Sequence, residues 1–229
     1  MKTALLASSL VAAAGLALGF SSFSSAHAFS MPGDKVMFTL GGDDNFGSDL
    51  AEVEVTLEDL GNEIKFIVDV VPETLTGNIG DLGGLFFDIV DDSLLPGLSV
   101  MGADVTGQDF DANNVINLGQ GVNLNGDGNK NFDAGVKFGT PGIGSDDIQS
   151  TMFVLKHSDS NVNLGLELFK EQVFGARLTS VGPEGSGRGG SSKLKGTPEI
   201  PHEDVPEPAT VGALVLALGG LAASRRKSG

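Results

Sequence analysis

The chain has no cysteine, no tryptophan and no tyrosine among its 229 residues. The lack of cysteine excludes a disulfide framework, a thiolate zinc site, a catalytic cysteine and a lipidated cysteine. The lack of tryptophan and tyrosine removes the flat rings with a polar handle on which sugars are commonly stacked. This absence counts against a conventional carbohydrate-binding platform.

Basic residues are scarce, with 14 Lys+Arg against 30 Asp+Glu and a net charge of −16. All 30 acidic residues but only ten of the basic ones lie between Asp34 and Glu207, which gives this stretch a net charge of −20. A chain of this charge repels the phosphate backbone, so nucleic acid is not an expected partner. With 34 glycines, the composition favours many turns over a helical bundle.

The N-terminus has the three parts of an export signal in the right order. Lys2 supplies the positive charge, residues 4–20 are almost wholly apolar, and Ala26-His27-Ala28 fits the small-x-small cleavage rule. We therefore predict that residues 1–28 are a signal peptide removed by signal peptidase. The mature chain then begins at Phe29.

The C-terminus carries a second apolar segment with a basic flank. It covers 15 residues, from Ala209 to Ala223, and as a helix it spans about 22 Å at ~1.5 Å per residue. This is shorter than the ~30 Å hydrocarbon core, but bilayer thinning and snorkelling of the flanking arginines can cover the difference. The sequence predicts a single transmembrane helix, with Arg225, Arg226 and Lys227 as a cytoplasmic stop. Length and charge of this segment fit two alternatives, a weak permanent anchor and a transient anchor that is later processed.

The block Val205-Pro206-Glu207-Pro208, followed by the short apolar helix and the terminal arginines, resembles the PEP-CTERM sorting signal. The resemblance covers residues 205–229. It implies an exported protein of a Gram-negative bacterium that an exosortase-like membrane protease or transpeptidase recognises near the tripeptide. It also implies transient anchoring in the inner membrane, followed by a place at the cell surface or outside, with extracellular polysaccharide and biofilm as expected associates.

Residues 182–204 are rich in glycine and serine in their first part and in proline and acids in their second. Such composition predicts a linker, which would hold the body off the membrane and expose the tripeptide.

The body, residues 29–181, shows frequent period-two alternation of apolar and polar residues. Gly61-Asn62 lies between two alternating runs and is the best candidate for a hairpin turn. About ten short strands separated by turns predict an all-β fold, an antiparallel β-sandwich of jelly-roll or immunoglobulin-like type. Most of the phenylalanines fall in these alternating runs and are predicted to be core.

No catalytic constellation is visible in the body. There is no nucleophile elbow, metalloprotease helix or phosphate loop, and His157 is the one histidine of the body. We therefore expect a non-catalytic surface or matrix protein. The alternatives are a calcium- or carbohydrate-binding module, and a polysaccharide hydrolase using two distant acids.

One stretch partly resembles a calcium loop. Oxygen-bearing residues alternate along it, and Gly128 could make the sharp turn. The closing glutamate is missing, because Ala134 stands at its position. A plain Asn-Gly/Asp-Gly hairpin turn is the alternative. No other cofactor is expected, and the candidate ligands are Asn123, Asn125, Asp127, Asn129 and Asp133.

Overall fold

The computed structural model describes residues 30–41, 49–126, 131–185 and 187–200. These residues form ten β-strands: β1 Lys35–Gly41, β2 Glu52–Asp59, β3 Ile64–Val71, β4 Asn78–Phe87, β5 Leu98–Gly102, β6 Val105–Val115, β7 Phe132–Phe138, β8 Ser150–His157, β9 Phe174–Pro183 and β10 Gly190–Gly196. Two short 3-10 helices, Asp92–Gly97 and Leu166–Phe169, connect strands.

The strands form two antiparallel sheets of five strands each. The first sheet has the order β1-β2-β3-β8-β5, and the second has the order β10-β9-β4-β7-β6. Strand β1 lies beside β10 and β5 lies beside β6, so the two sheets run alongside each other at both edges. The predicted all-β fold with two antiparallel sheets is confirmed, whereas residues 1–28 and 205–229 lie outside the described residues.

Period-two alternation decides which face of each strand is buried. In β2, Val53, Val55 and Leu57 are fully buried, and the residues between them are partly exposed. Inward-facing residues of both sheets belong to one hydrophobic cluster. The apolar side chains of the two sheets are therefore shared in a single core.

Phenylalanines fill the centre of this core. Phe66 of β3 stacks on Phe153 of β8, with ring centroids 4.5 Å apart. It also meets Phe87 of the second sheet at 5.3 Å and Phe169 of the second 3-10 helix at 5.5 Å. One ring thus joins both sheets and the helix above them, as expected for phenylalanines in alternating runs.

The predicted hairpin turn at Gly61-Asn62 is confirmed. Strands β2 and β3 pair in antiparallel register from Asp59↔Ile64 onward, and Leu60 N–H donates to the Glu63 carbonyl at 2.9 Å. Gly61 has φ +101°, a conformation that glycine adopts without steric cost.

The predicted linker over residues 182–204 is wrong in its central part. Strand β9 continues to Pro183, and Gly190–Gly196 forms β10, which pairs with β9 from Gly190↔Val181 to Gly196↔Phe174. Leu194 and Ser192 are fully buried. Pairing with an existing edge strand uses main-chain groups, so a segment with few β-forming side chains can still become a strand.

Buried carboxylates fasten loops to the strands. Asp81 of β4 is 1% exposed and accepts hydrogen bonds from Gly142 N–H at 2.5 Å, Ile148 N–H at 3.0 Å and Thr179 Oγ1 at 3.1 Å. The first two donors belong to the connection between β7 and β8. One side chain therefore fixes both ends of that connection.

Replacing Asp81 with alanine should lower the free energy of unfolding by about 2–3 kcal/mol, because it leaves buried N–H groups without an acceptor. Urea denaturation of the protein measures this loss. Glu54→Gln, a change on the outward side of β2, is the control and should stay within about 0.5 kcal/mol of the parent. Equal stability of the Asp81→Ala variant and the control would contradict the anchoring role.

Candidate functional site on the outer face of the second sheet

The candidate calcium residues are divided between a surface segment and a strand. Asn123 and Asn125 belong to the excursion between β6 and β7, which we call the 116–126 segment. Asn123 makes an isolated β-bridge with Asn117. Asp127 and Asn129 lie outside the described residues.

Asp133 lies in β7 and its carboxylate is already engaged within the body. It is 3% exposed, and its two oxygens accept hydrogen bonds from Ile89 N–H at 3.0 Å and Asn113 N–H at 2.7 Å. Asn113 has φ +52°, within the stretch where the register of β6 shifts between Phe110 and Val115. The side chain of Asp133 thus holds an irregular part of β6, a role that the sequence did not reveal.

Among the described residues, no group of three or more His, Cys, Asp or Glu side chains is arranged to hold a metal ion. Calcium binding by the candidate stretch stays a prediction, because Asp127 and Asn129 lie outside the described residues.

The 116–126 segment packs on the outer face of the second sheet. Its residues Val122 and Leu124 are buried in a second hydrophobic cluster with Phe86 and Phe132. The sheet beneath is lined by glycines: a Cβ added at Gly84 would lie 2.6 Å from Val122 Cγ1. Larger residues there would push the segment away from the sheet.

Gly135 and Gly175 serve the same purpose on neighbouring strands. A Cβ at Gly135 would lie 2.9 Å from Val115 and 3.0 Å from Leu118, and one at Gly175 would collide with Leu124. The glycines therefore shape a surface into which the segment's apolar side chains fit.

Three basic residues cross this face in one line. In the strand register Lys193 of β10 is opposite Arg177 of β9, Arg177 is opposite Gly84 of β4, and Gly84 is opposite Lys137 of β7. The neighbours of Arg177 in its strand, Ala176 and Leu178, belong to the inner core, so Arg177 faces outward. We call Lys137, Arg177 and Lys193 the cationic row.

Each member of the cationic row is held by neutral oxygens of its surroundings. Arg177 donates to the Gly121 carbonyl at 3.3 Å and to the Ser192 carbonyl at 3.2 Å. Lys193 donates to the Asn125 carbonyl, and Lys137 donates to the side-chain oxygen of Gln120.

The ion pairs found in the described part of the chain are elsewhere, joining Lys35 and Lys65 to Glu58 and Arg188 to Asp147. Among the described residues, no carboxylate forms an ion pair with the cationic row. Burial lowers the pKa of Lys193, and the neighbouring charge of Arg177 lowers it further. Burial also lowers the pKa of Arg177.

The site therefore differs from the one expected from sequence. The Asn-rich stretch was recognised as a candidate, but the basic residues around it are far away in the chain. In the sequence, Lys137 and Arg177 are marked only as polar residues between two apolar neighbours, and Lys193 only as one beside Leu194. They can be recognised as one group only when the pairing of β4, β7, β9 and β10 is known.

Asp91, Asp146 and Asp147, which belong to runs of adjacent acids in the body, are each in contact with protein groups. Asp146 Oδ2 accepts from Thr140 N–H at 3.0 Å, while Asp147 pairs with Arg188. Asp91 accepts from Ser93 N–H at 3.0 Å at the start of a 3-10 helix, and its hydrogen bonds to Ser93 lower its pKa. His157 Nδ1 lies 3.1 Å from Asp159 N, within a local turn.

The predicted targeting residues lie outside the described residues. They are the cleavage residues Ala26 and Ala28, the sorting residues Val205, Pro206, Glu207 and Pro208, and the basic stop Arg225, Arg226 and Lys227. Within the described ranges, no helix is long and apolar enough to cross a membrane.

Comparison with protein families, curated proteins and solved structures finds no match for this chain.

Proposed function

We propose that this chain is an exported surface or extracellular-matrix protein with a non-catalytic β-sandwich body. Signal peptidase removes residues 1–28, and the C-terminal helix anchors the protein transiently. An exosortase-like membrane enzyme then acts near Pro206-Glu207-Pro208. The observation that carries the proposal is the order of features in the tail: tripeptide, short apolar segment and terminal basic cluster.

The geometry of the body supports a structural role. The buried carboxylates of Asp59, Glu73, Asp81 and Asp133 each accept hydrogen bonds from main-chain N–H groups. Carboxylates used in this way stabilise loops. General acid or base catalysis instead needs a group that can reach a substrate and exchange a proton with it.

We further propose that the sandwich is of jelly-roll type. After the β1-β2-β3 run in the first sheet, the chain passes to the second sheet for β4, returns for β5, and passes over again for β6 and β7. Strand β8 lies in the first sheet and β9 and β10 lie in the second. Repeated crossing between sheets supports this type over a simple meander.

The sorting proposal predicts two new chain ends. Mass spectrometry of the protein from cells that contain the sorting enzyme should find an N-terminus at Phe29 and a C-terminus near Pro206. Cells without that enzyme should yield the intact C-terminus, because only the tail is its substrate.

A matched pair of proline variants sharpens this experiment. Pro206→Ala should block C-terminal processing, whereas Pro201→Ala, five residues upstream of the tripeptide, should leave it intact. An intact C-terminus in cells with and without the enzyme would defeat the sorting proposal.

A further inference from the structure

We propose that the cationic row and the 116–126 segment form a binding surface for a polysaccharide that carries carboxylate groups. The inference rests on the exported location proposed above and names the class of ligand that the body contacts there. It concerns residues Lys137, Arg177 and Lys193, together with the amide side chains of Gln120, Asn123 and Asn125.

The first argument is charge. The stretch from Asp34 to Glu207 has three acidic residues for each basic one, yet the three bases of the row contact neutral oxygens, and none is in an ion pair with a described carboxylate. An anion on this face would meet positive charge with which no described carboxylate forms an ion pair. It would also offset both the burial that lowers the pKa of Lys193 and the smaller effect of the neighbouring charge of Arg177.

The second argument is spacing. Neighbouring strands lie about 4.8 Å apart, so the backbones at Lys193 and Arg177 are one such step apart and those at Arg177 and Lys137 are two steps, or about 10 Å, apart. The backbone positions of the three bases therefore follow a line across the sheet, and the 116–126 segment crosses this line where Val122 packs over Gly84. The glycine-lined packing of the 116–126 segment keeps this line fixed before any ligand arrives.

The third argument is the spare hydrogen-bonding capacity of the surface. Lys137 and Lys193 each donate one described hydrogen bond, although an ammonium group has three N–H donors. Gln120 and Asn125 are exposed and Asn123 is half-buried. Amides both donate and accept, which suits sugar hydroxyls, while the cations suit carboxylates.

Other polyanions fit this surface less well. The strongly negative chain repels the dense charge of nucleic acid more strongly than the single charge per sugar of a polyuronate. An acidic protein partner normally needs an apolar anchor at the centre of the interface, but Val122 and Leu124 are buried beneath the segment. A neutral glycan would depend on stacking rings, and the chain has no tryptophan or tyrosine. Recognition is therefore expected to depend on charge.

The test is calorimetric titration of the mature protein, recovered from the cells that export it, with polygalacturonate. We expect binding that weakens as NaCl rises from about 0.05 to 0.5 M, because screening reduces such contacts. Dextran, a neutral glucan, should not bind. Binding of dextran as strong as that of polygalacturonate would overturn the proposal, as would equally strong binding of polyglutamate or duplex DNA.

The decisive variant is Lys137→Gln combined with Lys193→Gln, and its matched control is Lys35→Gln combined with Lys65→Gln on the first sheet. The row variant should bind polygalacturonate about 10-fold more weakly, because each lost charge contact contributes ~0.7 kcal/mol. The control should bind as the parent does. Thermal unfolding checks that both variants are folded. We expect both to fold, because none of the four lysines belongs to the buried residues.

Unchanged affinity of the folded row variant would overturn the assignment of the surface. Should the row variant unfold, Gln120→Ala with Asn125→Ala supplies the second measurement, and unchanged affinity there overturns the proposal equally. The outcome is independent of sorting. If the chain ends are those expected but polygalacturonate does not bind, only this inference is contradicted. If the protein binds polygalacturonate but keeps an intact tail, only the sorting proposal is contradicted.

Discussion

A chain that ends at Gly189 should fail to fold, whereas one that ends at Ile200 should fold as the mature protein does. The shorter chain lacks β10, which supplies the outer strand of the second sheet and the fully buried Leu194. It also lacks Ile200, which packs against the core. The loss of a strand and its buried side chains is comparable to the whole stability of a domain, about 5–15 kcal/mol.

Circular dichroism and urea denaturation of the two chains, each beginning at Phe29, measure this difference. The pair is well matched because only 11 residues separate the two ends. A cooperative unfolding transition of equal midpoint in both would show that Gly190–Gly196 is dispensable and that the linker interpretation of this segment was correct.

Replacing Phe66 with alanine should lower the free energy of unfolding by about 3–5 kcal/mol, the range for removing a large buried aromatic side chain. The ring is fully buried and contacts Phe153, Phe87 and Phe169. The cavity left behind would therefore border both sheets and the second 3-10 helix, so it cannot close by a shift of one element.

Its control is the next residue of the same strand. Ile67 points to the outer face, where it is partly exposed opposite Met152, and Ile67→Ala should cost about 1 kcal/mol or less. Urea denaturation of both variants gives the comparison. Losses of similar size would contradict the view that Phe66 is central to the core.

Local pattern was sufficient to predict the all-β fold of the body. The alternation of Val53, Val55 and Leu57 with acids predicts a strand with one buried face, and Gly61-Asn62 predicts the turn that follows. Both signals depend on residues within a few positions of each other, so no knowledge of the remainder of the chain is needed.

The elements that the sequence did not predict depend on distant partners. Residues 190–196 have one large apolar side chain, Leu194, and become a strand because the edge of β9 is open to pairing. Asp81 and Asp133 are acids in turn-rich surroundings whose burial follows from donors up to 98 residues away. From composition alone, residues 190–196 and the two aspartates are expected to be exposed in loops. Their burial is visible only in the tertiary structure.

The same dependence on residues far apart in the chain explains why the sequence did not predict the cationic row. Its three bases come from strands that are separated in the sequence by up to 56 positions, and they become one line only through the pairing of four strands. The Asn-rich stretch can be recognised as a candidate site in the sequence because its residues lie close together in the chain. A site assembled from one residue per strand has no such local signature.

The contact between the first and last strands also sets the timing of folding. Gly196 of β10 lies so close to β1 that a Cβ there would be 2.6 Å from the Thr39 carbonyl oxygen. On the export route proposed above, β1 would cross the membrane first and β10 last, so the second sheet could not be completed until about residue 196 had crossed. Closure of contacts so distant in sequence is slow. On that proposed route the body would reach its final form only as the apolar tail segment enters the translocation machinery, so completion of the fold would coincide with arrival at the membrane.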